Sequence, residues 1–405
     1  MEHLDLLISE EVLRDGQQDY RGVSFNQPEM LELAHAIASI GPAIFNIDIM
    51  PAMHEMHADV ASQLIREGIP ITQATRMHAD DISGCLTRGN RVITISSVSE
   101  ELMHAKGLTA EKNLSSTLRE ITAATNYGAS TRQVEVGLAL EDASRADLGF
   151  LKNYIQATSQ LVDYFVYCDT NGIATPSETG SIISELVIDT GAKILMHCHN
   201  DSGLAVENTI EGILSGAAGI STVLTGIGER AAGNAPTEEV LEALKERGYL
   251  VNDVDYDRLH AVTDLVKMYT GGLKPADKGV QIHSSGMHVH GVRSGLKRGV
   301  EVYGSEKTYG AARPIEVTLT VASARSTLQE ITAATGIDIA EQDVPAILTG
   351  LKNLALMRRQ GITPTQAAEI IQTGQYLAHQ DWRTIPALTR PRLLTPNQPR
   401  PYRPK

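Results

Sequence analysis

Two short stretches carry residue types that can do chemistry together. HCH places the imidazoles of His197 and His199 two residues apart, and LRDG (13–16) sets Arg14 beside Asp15. Side chains at i and i+2 of a strand share one face, so both imidazoles can reach a single ion. Two imidazoles and a carboxylate, with positions left open, suit a divalent cation such as zinc, manganese or magnesium. A guanidinium beside that centre offers fixed positive charge where an enolate or alkoxide oxygen develops. The plainer alternatives are histidines that simply hydrogen-bond within a cleft and an Arg14–Asp15 ion pair, which can coexist with a cation site.

For these residues to meet, distant segments must come together. Short β-rich runs recur at 5–13, 44–50, 70–75, 91–98, 132–140, 164–169, 193–199 and 219–227. Helix-period segments lie between them at 28–40, 56–67, 111–125, 147–161, 178–189 and 203–217. The first of these has Asn26 as its cap, Pro28 in its opening turn and Glu29 three residues past the cap. Strands alternating with helices mean parallel βαβ units, and eight of them predict a (β/α)8 TIM barrel over 1–248. A doubly wound sheet is the alternative, but its glycine-rich turn follows the first strand, whereas GIGERAAG (226–233) follows the eighth. Residues 256–270 and 316–380 read as helical, joined by a glycine-, histidine- and lysine-rich connection at 271–312. The expected class is α/β, a barrel followed by a mainly helical C-terminal region at 249–383 and a Pro-rich extended tail at 384–405.

Barrel enzymes keep their chemistry at the C-terminal ends of the strands. Here the ends carry Arg14 and Asp15, then Glu141, Asp142 and Arg145, then Asp169 and Thr170, then 197–201, and finally Glu229, Arg230 and Asn234. The first and seventh strands are both odd-numbered and feed the same interior layer, which puts Asp15 at the height of the two histidines. Glu141 is an acid/base candidate, and Thr170 can donate to a substrate carboxylate or cap the turn at Asn171-Gly172.

The remaining properties set limits. A net charge of −14 argues against nucleic acid or an anionic membrane as partner of the surface as a whole. Cys85, Cys168 and Cys198 form no disulfide framework and no CxxC pair, which points to a reducing compartment. No signal-like segment opens the chain and no apolar run reaches membrane-spanning length, so a cytoplasmic protein is expected.

Five ordered motifs carry a family resemblance: LRDGQQ (13–18), EDASRADLGFL (141–151), DTNGIATPSE (169–178), HCHNDSGLAVEN (197–208) and GIGERAAGNAPTEEV (226–240). Together they resemble the metal-dependent acyl-CoA Claisen-condensation enzymes (DRE-TIM metallolyases), which include isopropylmalate, homocitrate and citramalate synthases and hydroxymethylglutaryl-CoA lyases. HSSGMHVHG (283–291) extends the match past the barrel. The resemblance implies a divalent metal held by Asp15, His197 and His199 with Asn234 at its edge. It implies Arg14 as the group stabilising enolate and alkoxide, Thr170 as the ligand of the 2-oxo acid carboxylate, and Gln18 and Asp48 as further substrate-binding residues. Glu141, His288 and Tyr303 take catalytic roles, His288 reaching over from a partner subunit, so a homodimer is expected. The implied reaction is an acyl transfer in which acetyl-CoA condenses with a 2-oxo acid and CoA is released.

The sequence also departs from the family pattern. Glu10, Glu11 and Val12 stand where the family has an aspartate and two threonines, and Asp48 replaces a glutamate. An extra alanine enters the segment Glu229–Asn234, and His290 replaces an aspartate. The arginine that some homocitrate synthases use for a distal carboxylate corresponds to Gly137. Too few residues follow the helical region for a leucine-responsive regulatory domain. Lyase-like C–C cleavage is one alternative, although no cysteine occupies the loop after the eighth strand where the lyases carry one. A non-catalytic metal-binding barrel is the other.

Overall fold

Runs such as YFVYC are apolar on both faces and IFNIDI is buried on both, which suits strands walled in by helices outside and by side chains inside. The computed structural model describes residues 1–129, 134–230, 232–275, 282, 283, 285–300, 302, 303 and 316–384. After a short β1 (Glu2–Leu4), the barrel strands are β2 (Leu7–Glu10), β3 (Ile44–Ile49), β4 (Ile71–Arg76), β5 (Arg91–Ser97), β6 (Glu135–Glu141), β7 (Tyr164–Asp169), β8 (Ile194–Cys198) and β9 (Gly219–Thr222). They pair in parallel and in chain order, and β9 closes on β2 with Leu7 opposite Gly219. The expected TIM barrel is the observed fold. β1 pairs with β10 (Tyr249–Val251), tying together the two ends of the barrel segment.

The outer helices are α1 (Gln27–Ala38), α2 (Glu55–Arg66), α3 (Ala79–Leu86), α4 (Glu100–Ala105), α5 (Ala110–Ala129), α6 (Leu148–Thr158), α7 (Pro176–Thr190), α8 (Ala205–Leu214) and α9 (Thr237–Glu246). α1 starts where its sequence dictates. Asn26 Oδ1 accepts the Glu29 N–H at 3.1 Å, and Glu29 Oε2 accepts the Asn26 N–H at 3.1 Å. Thr175 and Glu178 repeat this box for α7, which stops at Gly191 with φ 64°. Among the described residues no helix is long and apolar enough to cross a membrane.

Two apolar layers result. The larger lies between strands and helices, and a smaller one fills the barrel interior with Ala74, Ile93, Ala139, Tyr164, Val166 and Leu195. Beyond α10 (Tyr256–Tyr269) the chain adds a two-stranded ladder, β11 (Ile282–His283) with β12 (Glu316–Val317), and α11 (Gly286–Lys297). Helices Arg325–Thr335, Val344–Arg358 and Pro364–Gln372 then pack on their own apolar cluster.

Three differences from expectation have local causes. The connection at 271–312 contains α11, whose Ser285 cap accepts the His288 N–H at 3.3 Å and whose Val292 packs with Leu102 and Ala105 of α4. Its glycines and histidines masked that periodicity. α3 and α4 are too short to declare a helical period, and α9 follows the unrecognised turn at Asn234–Pro236. The expected tail at 384–405 lies outside the described residues, apart from Thr384.

Gly137 and Tyr164 face each other across β6 and β7. A Cβ on Gly137 would lie 2.4 Å from Tyr164 Cζ, so the ring occupies all the room a side chain would need. Gly137→Ala should cost about 1–3 kcal/mol of stability. Urea denaturation measures it, and an unchanged midpoint would show that the ring yields freely.

Candidate active site

β2 ends at Glu10, and the chain then turns into a 3-10 segment, Asp15–Gln18. Arg14 and Asp15 therefore leave the strand's alternation and share one cavity with residues from the other strand ends. Glu10 fixes this turn. Its carboxylate accepts the Val12 N–H at 3.0 Å, the Leu224 N–H at 2.9 Å and the Thr237 hydroxyl at 2.6 Å, stitching β2 to the segment after β9.

Asp15, His197 and His199 are buried and offer ligand atoms that all lie within 4.8 Å of one another. His197 Nδ1 lies 3.0 Å from the Ser221 carbonyl oxygen, to which it donates, leaving Nε2 without a proton 3.8 Å from Asp15 Oδ2. Burial pushes His197 down to about 4 against the pull of Asp15, and burial with the Arg230 charge holds His199 well below its ordinary value. Both imidazoles are therefore neutral near pH 7, the form that binds metal. Asn234 donates its Nδ2–H to Asp15 Oδ2 at 2.6 Å. Asn234 Oδ1 and His199 Nδ1 are buried without hydrogen-bond partners, a costly state that a coordinated cation would relieve. The donor set fits a divalent metal.

The surrounding cavity, about 50 Å³, is also lined by Arg14, Gln18, Glu141, Thr170 and His288. Arg14 is ion-paired with the buried Glu11 and lies 3.5 Å from Asp15 Oδ1. Thr170 accepts the Asp142 N–H at 2.8 Å, so its hydroxyl proton is free to donate into the cavity it lines. A second cavity of about 550 Å³ adjoins through Gln18 and is bordered by Arg76, Ser285, His290 and Arg325, with no carboxylate among its described lining residues.

Glu141, the expected acid/base candidate, is held by three donors. It accepts the Ser97 hydroxyl at 2.7 Å, Lys106 Nζ at 2.7 Å and the Tyr303 hydroxyl at 2.8 Å. Burial alone would raise its carboxyl, but the Lys106 charge and hydrogen bond, the His288 imidazole and the Ser97 hydroxyl together outweigh that and hold it at about 2. Glu141 thus has no proton to give near neutrality and acts as an anchor for Tyr303. The Tyr303 ring stacks on His288 at 4.5 Å, and His288 Nδ1 lies 3.5 Å from the buried Glu229. Glu229, His283 and His288 form a second group of ligating type, arranged around one carboxylate. Its carboxyl is held below the usual range, burial being outweighed by the two histidines.

His288 lines the cavity of its own chain. Asp48 does not line the cavity. It lies buried behind it, accepting the Ser9 hydroxyl at 3.3 Å with Oδ2 unpartnered. Sequence reasoning passed over Glu11 as a site residue, although it also accepts the Ser221 hydroxyl and lies 3.6 Å from His197 Nδ1. Lys106 gave no signal because it sits on the turn after α4 and meets Glu141 only in three dimensions. Glu229 was visible as a strand-end residue and His288 as a catalytic candidate, but nothing in the sequence showed that His283 and His288 meet Glu229.

A closed parallel barrel with a candidate cation-binding cluster at its strand ends defines the class. Residues 5–266 match the family described as HMGL-like, and the chain belongs to it. It is similar to homocitrate synthase AksA of Methanothermobacter thermautotrophicus, 32% identical over 302 residues that cover 71% of this chain and 74% of the relative. It is also similar to 2-isopropylmalate synthase 2 of Caldanaerobacter subterraneus, 30% identical over 292 residues, with 70% and 74% covered. Among solved structures, the HMG-CoA lyase of Bacillus subtilis superposes with a TM-score of 0.58 at 18% identity, covering 68% of this chain and 97% of the other, a likeness of fold.

Two outcomes follow from this geometry. Asp15→Ala should weaken Mn²⁺ or Zn²⁺ binding by about 100-fold or more in calorimetric titration, and unchanged affinity would remove Asp15 from the ligand set. Lys106→Met removes the charge that keeps Glu141 ionised, so burial should carry its titration up into the working range. The variant's kcat/KM should then fall as pH drops below neutrality while that of the unaltered protein holds; superimposable pH profiles would sink the anchor role. By the same linkage, the Lys106–Glu141 pair contributes stability that is present above pH 4.5 and lost as pH falls toward 2.

Proposed function

We propose that the protein condenses acetyl-CoA with a 2-oxo acid and releases CoA. The observation that carries this reading is the joint presence of the Asp15–His197–His199 cluster, the Arg14 guanidinium and the Thr170 hydroxyl in one small cavity. Asp15, His197 and His199, with Asn234 beside them, would hold a divalent cation, which would supply Lewis-acid polarisation of a bound carbonyl and a template for the acid.

The chain's own residues account for the remaining requirements. Thr170 donates to the carboxylate of the 2-oxo acid. Arg14 sits beside the cation cluster and is ready for the negative charge that grows on the carbonyl oxygen as the new C–C bond forms. Removal of a methyl proton from acetyl-CoA, and its later return to the alkoxide, fall to the His288–Glu229 pair, whose carboxylate stays ionised and orients the imidazole. Tyr303, fixed by Glu141, stacks on that imidazole and limits its rotation. Water then hydrolyses the thioester, releasing the CoA thiol and making the sequence irreversible. The acidless outer cavity suits the phosphorylated arm of the thioester.

The lyase reading has the support of the fold likeness, but the residues argue against it. Cys168 is the one cysteine among the described cavity-lining residues, and burial pushes its thiol far above the range in which a thiolate forms. A barrel that has lost activity would not be expected to keep this many strand-end groups partnered.

CoA-thiol release should require both a 2-oxo acid and Mg²⁺, Mn²⁺ or Zn²⁺. Release without any acid would mean simple thioester hydrolysis, and none with any acid, metal being bound, would reject the condensation. Arg14→Ala should lower kcat by about 10²–10³-fold while metal affinity stays within a few fold; unchanged turnover would overturn the role of Arg14.

A further inference from the structure

Resting on the condensation just proposed, we infer that the acceptor is a 2-oxo acid whose side chain is short, aliphatic and uncharged. The cavity has two unlike halves. Arg14, Thr170, Asp15, His197 and His199 occupy one half and suffice for the carboxylate and keto groups that every 2-oxo acid shares. The apolar part of the lining is a wall of Ala74, Ile93, Ile95, Ala139, Val166 and Cys168, contributed by β4, β5, β6 and β7. An acceptor's side chain, the part that differs from one 2-oxo acid to the next, faces that wall.

Nothing there can neutralise a second carboxylate. Arg14 is the one guanidinium among the described lining residues, and Glu11 already pairs with it. The wall is also sealed from behind. A cationic side chain at Gly137 is sterically forbidden, because Tyr164 Cζ would lie 2.4 Å from its Cβ. That ring is locked. Tyr164 accepts the Asn46 Nδ2–H at 3.0 Å, Asn46 Oδ1 accepts the Thr72 hydroxyl at 2.6 Å, and Phe45 packs edge-on at 5.5 Å. Behind the same region lies Asp48, whose carboxylate would repel another anion.

Two further observations limit the length of the side chain. A water needs about 10–15 Å³ of such space, so a cavity of about 50 Å³ holds only a few water-sized groups. A longer acid could extend past Gln18 into the outer cavity, but the arginines there are engaged. Arg76 bonds Asp81 at 2.5 and 3.0 Å, and Arg325 pairs with Glu341. An unpaired carboxylate against an apolar wall is strongly disfavoured, whereas an aliphatic group gains from burial there.

The test is kcat/KM for the full-length, metal-loaded protein with acetyl-CoA and five acids: pyruvate, 2-oxobutyrate, 2-oxoisovalerate, oxaloacetate and 2-oxoglutarate. At least one of the three aliphatic acids should exceed both dicarboxylic acids by about 10³-fold or more. A dicarboxylic acid used as well as the best aliphatic one would overturn this inference while leaving the condensation intact. No CoA release with any of the five would remove both. Ala139→Leu, which fills the wall without touching the charged half, should lower kcat/KM for 2-oxoisovalerate at least about 10-fold more than for pyruvate. An equal loss for both acids would mean that the side chain lies elsewhere.

Discussion

The buried carboxylate of Asp15 sets the terms for everything around it. An ionised group taken from water needs opposite charge and hydrogen-bond donors, or it destabilises the fold. Asn234 supplies a donor and Arg14 a guanidinium at 3.5 Å, but Arg14 is shared with Glu11. Two carboxylates and one guanidinium leave negative charge uncompensated, and the adjacent imidazoles are neutral. A divalent cation would complete the balance. Binding one there would stabilise the barrel mouth, because the segments that converge there are the ends of β2, β8 and β9.

Seen in this light, the departures at Glu10 and Glu11 are working parts. Glu10 satisfies two backbone N–H groups and a hydroxyl that would otherwise be orphaned where β2 turns away. Glu11 holds Arg14 and accepts the Ser221 hydroxyl, while the Ser221 carbonyl sets the His197 tautomer. Shorter or uncharged side chains at these positions would need a different route to the same orientation. The substitution pattern at the start of the motif is thus physically consistent with the histidine pair at its end.

The barrel was legible because its signals are local. Apolar runs of strand length, the capping box at Asn26, and polar residues gathered at strand ends are each written within a few residues. The Asp15–His197–His199 grouping followed from layer geometry, one step removed. What escaped depends on contacts between segments that carry no mutual mark. Lys106 becomes significant only because α4 carries it over the end of β6, and Tyr164 matters because β7 sets it against a glycine on β6. Asp48 shows the reverse: a strand-end carboxylate that is engaged with Ser9 and is not among the residues lining the cavity. The composition of 271–312 suggested a plain connection, and only the packing of Val292 against α4 makes α11 a helix with a purpose.

That last segment explains why the barrel alone would not suffice. Barrel strand ends provide the charged half and the apolar wall, but no barrel strand provides an imidazole outside the Asp15–His197–His199 cluster. His288 and Tyr303 fill this gap from beyond the barrel, and their placement rests on contacts with its rim. Arg145 donates to the Val302 carbonyl at 2.9 Å, Arg298 to the Ala105 carbonyl at 3.1 Å, and Tyr303 to Glu141 at 2.8 Å. Farther out, His54 meets Asn353 at 2.7 Å, and the Gly361 N–H donates to the Arg21 carbonyl at 2.9 Å. Because several such contacts join the same two bodies, His288 and Tyr303 are held in register with the charged half by the chain's own fold. Loosening this rim would separate His288 and Tyr303 from the Asp15–His197–His199 cluster while leaving each group internally intact.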